Sequence, residues 1–522
     1  MFDLRYLYNT VYFKRGGMVF ICPGDHIPVE EQAKRLQFLW DIAPILNAAI
    51  LVVEQRYIGQ SLPFGEESFK NSSMLSSLTI DNILYDNERV LDYFHKHNLN
   101  NVTIGAIVSV GVGYAGLIAS WRLSNEQWST VTQGKWISSS PLYNFGIGGV
   151  PVGAFDYALT ESLAKHCDRD KLTRLIRLID YMSNTTEGCE ELASTFKLDP
   201  GTNLNREYEM RMFKQFVYDG LLGLVTNNYP YPTSFTGQSL PSWPLQQACK
   251  VFNSGREELQ ELYEIVNSYY NASGTLTFHC ITPEKCGLQI KFKLNQQLVI
   301  NYQLCTQFRQ LRCHQGHDND IFWPECNQDN IEHVIGKYCE TTFKDSANSK
   351  SEFHVTADTY AQDVLRGQNM IFTLAEYDPN SVASLQYRNL RRQIFVFRMH
   401  ESATGLELLQ PNTCDPVSVV NTRVQIVKVL KCWLHYSPND DCEPETMQTR
   451  LPKTNKGISE SSHEKQTCQP IVRGYPWNVG LEAHGPTVNS FREPPMGDEM
   501  RTKPGTIITV VCILSSIFVH IM

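Results

Sequence analysis

Gly111, Gly113 and Gly116 lie between two apolar runs in the stretch Ile104 to Trp121. The first run reads as a strand. The second opens with helical spacing at Leu117, Ile118 and Trp121, so the glycines mark a sharp strand–turn–helix junction. Two chemistries use that shape. One is a dinucleotide site, in which G-x-G-x-x-G lets the backbone approach a pyrophosphate at the helix N-terminus. It requires an acid at the end of the next strand to hold a ribose. The next strand candidate, Lys135 to Ser139, runs into Ser140-Pro141 with no acid. The other is a nucleophile elbow, G-x-S-x-G, at the same kind of turn. Here the frame is Gly111-Val112-Gly113-Tyr114-Ala115, and the nucleophile slot holds a glycine. An elbow serine occupies strained backbone that glycine adopts at little cost. The turn can therefore persist without the chemistry, or serve only to pack a helix on a sheet.

The elements around this turn point to an α/β fold. Met18 to Cys22 and Ala49 to Val53 read as strands. Gln32 to Ala43 reads as a helix ended or kinked by Pro44, and Ile80 to His97 reads as another helix. Alternating strands and helices imply a parallel sheet covered on both faces. After about Phe155 helices dominate, over Ala154 to His166, Leu172 to Ser183, Glu207 to Leu222 and Arg256 to Tyr270. Strand signals return at Met370 to Leu374 and Ile394 to Phe397, followed by a helix over Ser418 to Leu434. Pro438 to Pro504 has the composition of a linker or stalk.

Composition excludes some classes. The 522 residues suffice for two packed domains. Hydrophobic content of 42% with 19% charge is globular, and a net charge of −9 gives no basic footprint for nucleic acid. Fifteen cysteines, with N-x-[ST] sequons at Asn71, Asn101, Asn184 and Asn271, favour an oxidising secretory route and a glycoprotein. Cys280 and Cys286 are wrongly spaced for a zinc knuckle and the histidines are scattered, so neither a metal nor another cofactor is expected. No signal-peptide pattern opens the sequence, and the cysteines favour a start that is missing over a cytosolic protein. Thr506 to Met522 is mainly apolar. As a helix it would span roughly 25 Å, which suits a glycolipid-anchor signal or a short membrane anchor, against the alternative of a buried terminal helix.

A series of motifs in order resembles the serine peptidases that include lysosomal Pro-Xaa carboxypeptidase, dipeptidyl peptidase II and thymus-specific serine protease. Trp40-Asp41-Ile42-Ala43 is similar to their W-D-[IV]-A. The run from Glu54 to Gly65 is similar to E-H-R-Y-Y-G-E-S-x-P-F-G. Ser138-Ser139-Ser140-Pro141 resembles S-S-A-P, Tyr229-Pro230-Tyr231 resembles Y-P-Y, and Leu240-Pro241-Ser242-Trp243-Pro244 resembles L-P-x-W-P. Tyr302 to Gln307 resembles Y-Q-x-C-T-E. The likeness runs from about Arg5 to Leu434. It implies an α/β-hydrolase core with a mainly helical cap. On that reading the core occupies 1–155 and 346–436, the cap is inserted at 156–345, a linker or stalk follows at 437–504, and the hydrophobic tail covers 505–522.

The resemblance further implies exopeptidase activity at prolyl bonds near peptide ends, by a Ser-Asp-His triad. The elbow G-G-S-Y-G-G falls on Gly111 to Gly116, which puts Gly113 at the nucleophile position. The acid motif N-G-x-x-D-P-W falls on Leu374 to Asn380 and retains Asp378. The base motif E-G-[AS]-H-[HC]-x-D falls on Glu401 to Glu407, with Thr404 in place of histidine and Asp415-Pro416 supporting the register. The oxyanion loop T-G-N-E-G falls on Pro23-Gly24-Asp25-His26-Ile27. Glycine offers no nucleophile and threonine no base near neutral pH. The expectation is a pseudoenzyme of the peptidase family, binding peptides without cleaving them, in the lysosome, at the cell surface or outside the cell, and compatible with a homodimer. The rival is an active serine-type exopeptidase in which another group acts. His400, Ser109, Ser120 and Cys22 are the candidates for such a group, each with a bland alternative as an exposed or packed residue.

Overall fold

The structure is a computed structural model. It describes residues 2–122, 128, 130–144, 149–235, 239–282, 289–308, 313–316, 318–324, 336–343, 360, 364–435, 442, 468–469 and 478–482. Eight strands form one sheet: β1 (Leu4–Asn9), β2 (Met18–Cys22), β3 (Ala49–Val53), β4 (Ala106–Val112), β5 (Thr132–Ser138), β6 (Met370–Ala375), β7 (Ile394–Met399) and β8 (Asn478–Glu482). Their order is β7-β6-β5-β4-β2-β3-β1-β8. β2 through β7 pair in parallel, and β1 pairs antiparallel with both β3 and β8. Every residue of β2, β3 and β6 is buried. Both faces of a parallel sheet are covered by its crossover helices, so its strands are continuous apolar runs.

The helices that cover it are α1 (Val29–Lys34), α2 (Phe38–Leu46), α3 (Ile80–His97), α4 (Gly113–Trp121) and α12 (Val417–Leu434). The expected single helix over Gln32 to Ala43 is two, broken at Arg35–Gln37, where Arg35 caps α1. Pro44 does not end α2. The helix runs on to Leu46 and stops at Asn47, whose φ of 45° is left-handed. In α3 the Thr79 hydroxyl accepts from the Asn82 amide, and Ile83, Val90, Leu91 and Phe94 turn inward.

Between β5 and β6 the chain forms a helical unit of α5 (Ala154–Ala164), α6 (Arg169–Met182), α7 (Thr186–Thr195), α8 (Glu207–Thr226), α9 (Pro244–Cys249), α10 (Glu258–Tyr270) and α11 (Gln289–Thr306). The expected boundary at residue 155 falls inside α5. The core of this unit includes Leu172, Ile176, Phe213 and Val266. It runs without a break into Ala375, Tyr377, Ala403 and Leu406, which lie at the carboxyl ends of the last two parallel strands. The cap therefore packs directly on the loops where triad residues are expected. Disulfides Cys167–Cys249, Cys305–Cys339, Cys414–Cys468 and Cys432–Cys442 brace the chain.

Part of the stretch expected as a linker is built into the core. β8 extends the sheet on β1, and Cys442 and Cys468 are tied back to it. Among the described residues, no helix is long and apolar enough to cross a membrane, and Thr506 to Met522 lie outside them.

Candidate active site

β4 ends at Val112 and α4 begins at Gly113, so the turn has the geometry of an elbow. Its glycines serve different ends. A Cβ on Gly111 would stand 2.3 Å from the Ala115 carbonyl, and one on Gly116 would stand 2.8 Å from the Gly111 oxygen. Only glycine lets strand and helix approach so closely. Gly113 has φ +56°, and a Cβ there meets nothing within 4 Å. The strained conformation of a nucleophile is present, and so is the room for its side chain. The side chain is missing.

Asp378 follows β6 and is 2% exposed. Its Oδ1 accepts from the Asn380 amide at 2.9 Å. Burial pushes its carboxyl up to about 6, with the Asn380 amide and the Ser139 and Thr404 hydroxyls opposing that rise. Those two hydroxyls lie beside the carboxylate, yet neither reaches Oδ2 in hydrogen-bonding geometry. Among the described residues no histidine ring hydrogen-bonds Asp378.

Thr404 occupies the loop after β7. The Thr226 carbonyl at the end of α8 accepts from its amide at 3.3 Å, and the Tyr229 hydroxyl donates to its carbonyl at 2.7 Å. On the core side Arg423 of α12 donates to the carbonyls of Leu406 and Glu407, both at 2.8 Å, and to Leu409 at 3.1 Å, while pairing with Asp415 at 2.5 Å. The next residue, Gly405, has φ +65°, and a Cβ there would lie 3.0 Å from Val112. The base loop therefore touches the elbow, and the Thr404 hydroxyl neighbours Asp378. The structure brings the three expected positions together.

The loop after β2 completes the site. The His26 ring stacks on Tyr114 with centroids 3.8 Å apart, one residue beyond Gly113. His26 Nε2 and the Gln303 carbonyl oxygen are 2.7 Å apart, and Gln303 donates to the Tyr114 hydroxyl at 2.7 Å. Desolvation lowers the His26 pKa, outweighing Asp25 and the Gln303 bond. Sequence reading placed His26 and Gln303 in separate motifs. Nothing in a single sequence joins residues that far apart.

The substitute candidates fare as their bland readings require. His400 is 80% exposed, with Nδ1 3.9 Å from Glu376. Ser109 is buried on β4, and Ser120 donates to the Leu117 carbonyl within α4. Cys22 is a free, buried thiol whose pKa burial drives far upward, so it forms no thiolate at physiological pH. No group of His, Cys, Asp and Glu among the described residues could hold a metal ion.

Residues 1–426 match the family model described as "Serine carboxypeptidase S28". "Putative serine protease pcp-1" of Caenorhabditis elegans is 30% identical, over 94% of this chain and 87% of that protein. "Prolyl carboxy peptidase like protein 5" of the same organism is 27% identical, over 83% and 86%. Human "Lysosomal Pro-X carboxypeptidase" is 26% identical, over 83% and 84%. With the elbow, acid loop, base loop and helical cap in these places, the chain belongs to the serine carboxypeptidase S28 family, on an α/β-hydrolase fold.

Proposed function

We propose that this chain is a pseudoenzyme that binds peptides in the hydrolase cleft and leaves them intact. The observation that carries the reading is Gly113: the nucleophile position has elbow geometry and open space but no side chain. Attack on a carbonyl needs a nucleophilic atom there, and a serine would need a base where Thr404 stands. The preserved turn, the clamped base loop and the cap packed on both argue that the cleft is kept for binding. Peptides are the ligand class because the relatives are named as peptidases. Because several relatives are named lysosomal and the chain is braced by disulfides, the proposed location is the secretory pathway, ending in the lysosome or at the cell surface.

The test is covalent labelling by a fluorophosphonate, with Gly113→Ser/Thr404→His alongside the unmodified protein. Labelling of the double variant alone supports the reading. Labelling of the unmodified, folded protein favours the active exopeptidase and refutes it.

A further inference from the structure

We infer that His26 is a specificity residue of the cleft, whose Nδ1 accepts a backbone N–H from a bound peptide and so selects against an N-alkylated residue at that position. This rests on the peptide-binding reading above. Gln303 donates its amide nitrogen to Tyr114, which leaves its carbonyl oxygen facing His26 Nε2. An oxygen can only accept, so Nε2 carries the proton. Burial lowers the imidazole pKa, so the ring is neutral near pH 7 and Nδ1 keeps its lone pair. No side chain among the described residues hydrogen-bonds Nδ1.

The ring is also held rigidly. Its face rests on Tyr114, the His26 amide donates to Asp25 Oδ1 at 2.7 Å, and its carbonyl accepts from Gln296 at 2.9 Å. Such an acceptor is preorganised and loses little entropy when a ligand binds. Its location gives it a role. His26, Gly113, Tyr114 and Thr404 all keep part of their surface exposed, and the ring lies on Tyr114, the residue that follows the vacant nucleophile position in the chain. A peptide lying across the elbow meets one fixed acceptor there. Proline and other N-alkylated residues have no N–H to offer it.

The probe is the tetrapeptide Ala-Ala-Pro-Phe, with versions methylated at the backbone nitrogen of its second or its fourth residue, titrated calorimetrically against the whole chain. One of the two methylations is expected to weaken binding about tenfold, the worth of one good hydrogen bond. In His26→Gln the side-chain amide can still donate to Gln303, but no acceptor replaces Nδ1. That variant is expected to bind the parent peptide about tenfold more weakly and to lose the methylation effect. His26→Asn, whose oxygen falls near the Nδ1 position, should recover part of it. An equal methylation penalty in wild type and His26→Gln overturns this inference and leaves peptide binding standing. Failure of all three peptides to bind any form of the folded protein refutes both. Independently of ligand, imidazole nitrogen NMR should show Nδ1 of His26 unprotonated at pH 7, and a proton on Nδ1 would overturn the assignment.

Discussion

Replacing Asp378 with asparagine should stabilise the protein at pH 7.5. A carboxylate is costly to bury, and the structure sets the scale. Its carboxyl is raised to about 6 from an unfolded value of 3.8, a gap of about two units. Because the folded value is the higher one, stability falls as pH rises through this range. The native state holds its proton between the two values while the unfolded state has lost it. At about 1.36 kcal/mol per unit, the penalty is about 1 kcal/mol at pH 4.5 and about 3 kcal/mol at pH 7.5. The asparagine side chain would be neutral throughout and could still accept from the Asn380 amide, so most of that penalty disappears. Urea unfolding of both proteins at the two pH values measures it. The stability gained by Asp378→Asn should be larger at pH 7.5 by about 2 kcal/mol. Equal stabilities at both pH values, or a variant less stable at pH 7.5, would refute the account of a buried acid dominated by desolvation.

Other outcomes follow from the same structure. Gly111→Ala should fold poorly or not at all, because its Cβ would enter the Ala115 carbonyl, whereas Gly113→Ala should cost only about 1–2 kcal/mol of left-handed strain in a thermal or urea melt. Arg423→Met should destabilise by about 3–5 kcal/mol, since it strands Asp415 and three loop carbonyls. Glycan mapping of secreted protein should find Asn71, Asn101 and Asn184 modified, all of them exposed, and Asn271 bare. Asn271 is 7% exposed, and its amide nitrogen donates to the Leu276 carbonyl.

What the sequence disclosed divides along physical lines. β2, β3 and α3 were legible because long apolar runs and a capped 3.6-residue period are local signals. The break between α1 and α2 was not, because apolar spacing continues across Arg35–Gln37 while the backbone turns. α2 carries Pro44 in its last turn and runs only two residues beyond it. β8 was missed because Asn-Val-Gly-Leu-Glu carries little strand signal of its own. Its place depends on the open edge of β1, hundreds of residues away. In the site, the three triad positions could be assigned by motif register. That no histidine ring among the described residues hydrogen-bonds Asp378 is a three-dimensional fact, and so are the clamping of Thr404 by Tyr229 and the network joining His26, Gln303 and Tyr114.

Fluorophosphonate labelling of the secreted, folded chain beside Gly113→Ser/Thr404→His tests the central claim most directly. The account predicts no label on the natural chain and label on the double variant at the introduced serine. Label on the natural chain would contradict it, because an active serine would then exist elsewhere in the cleft.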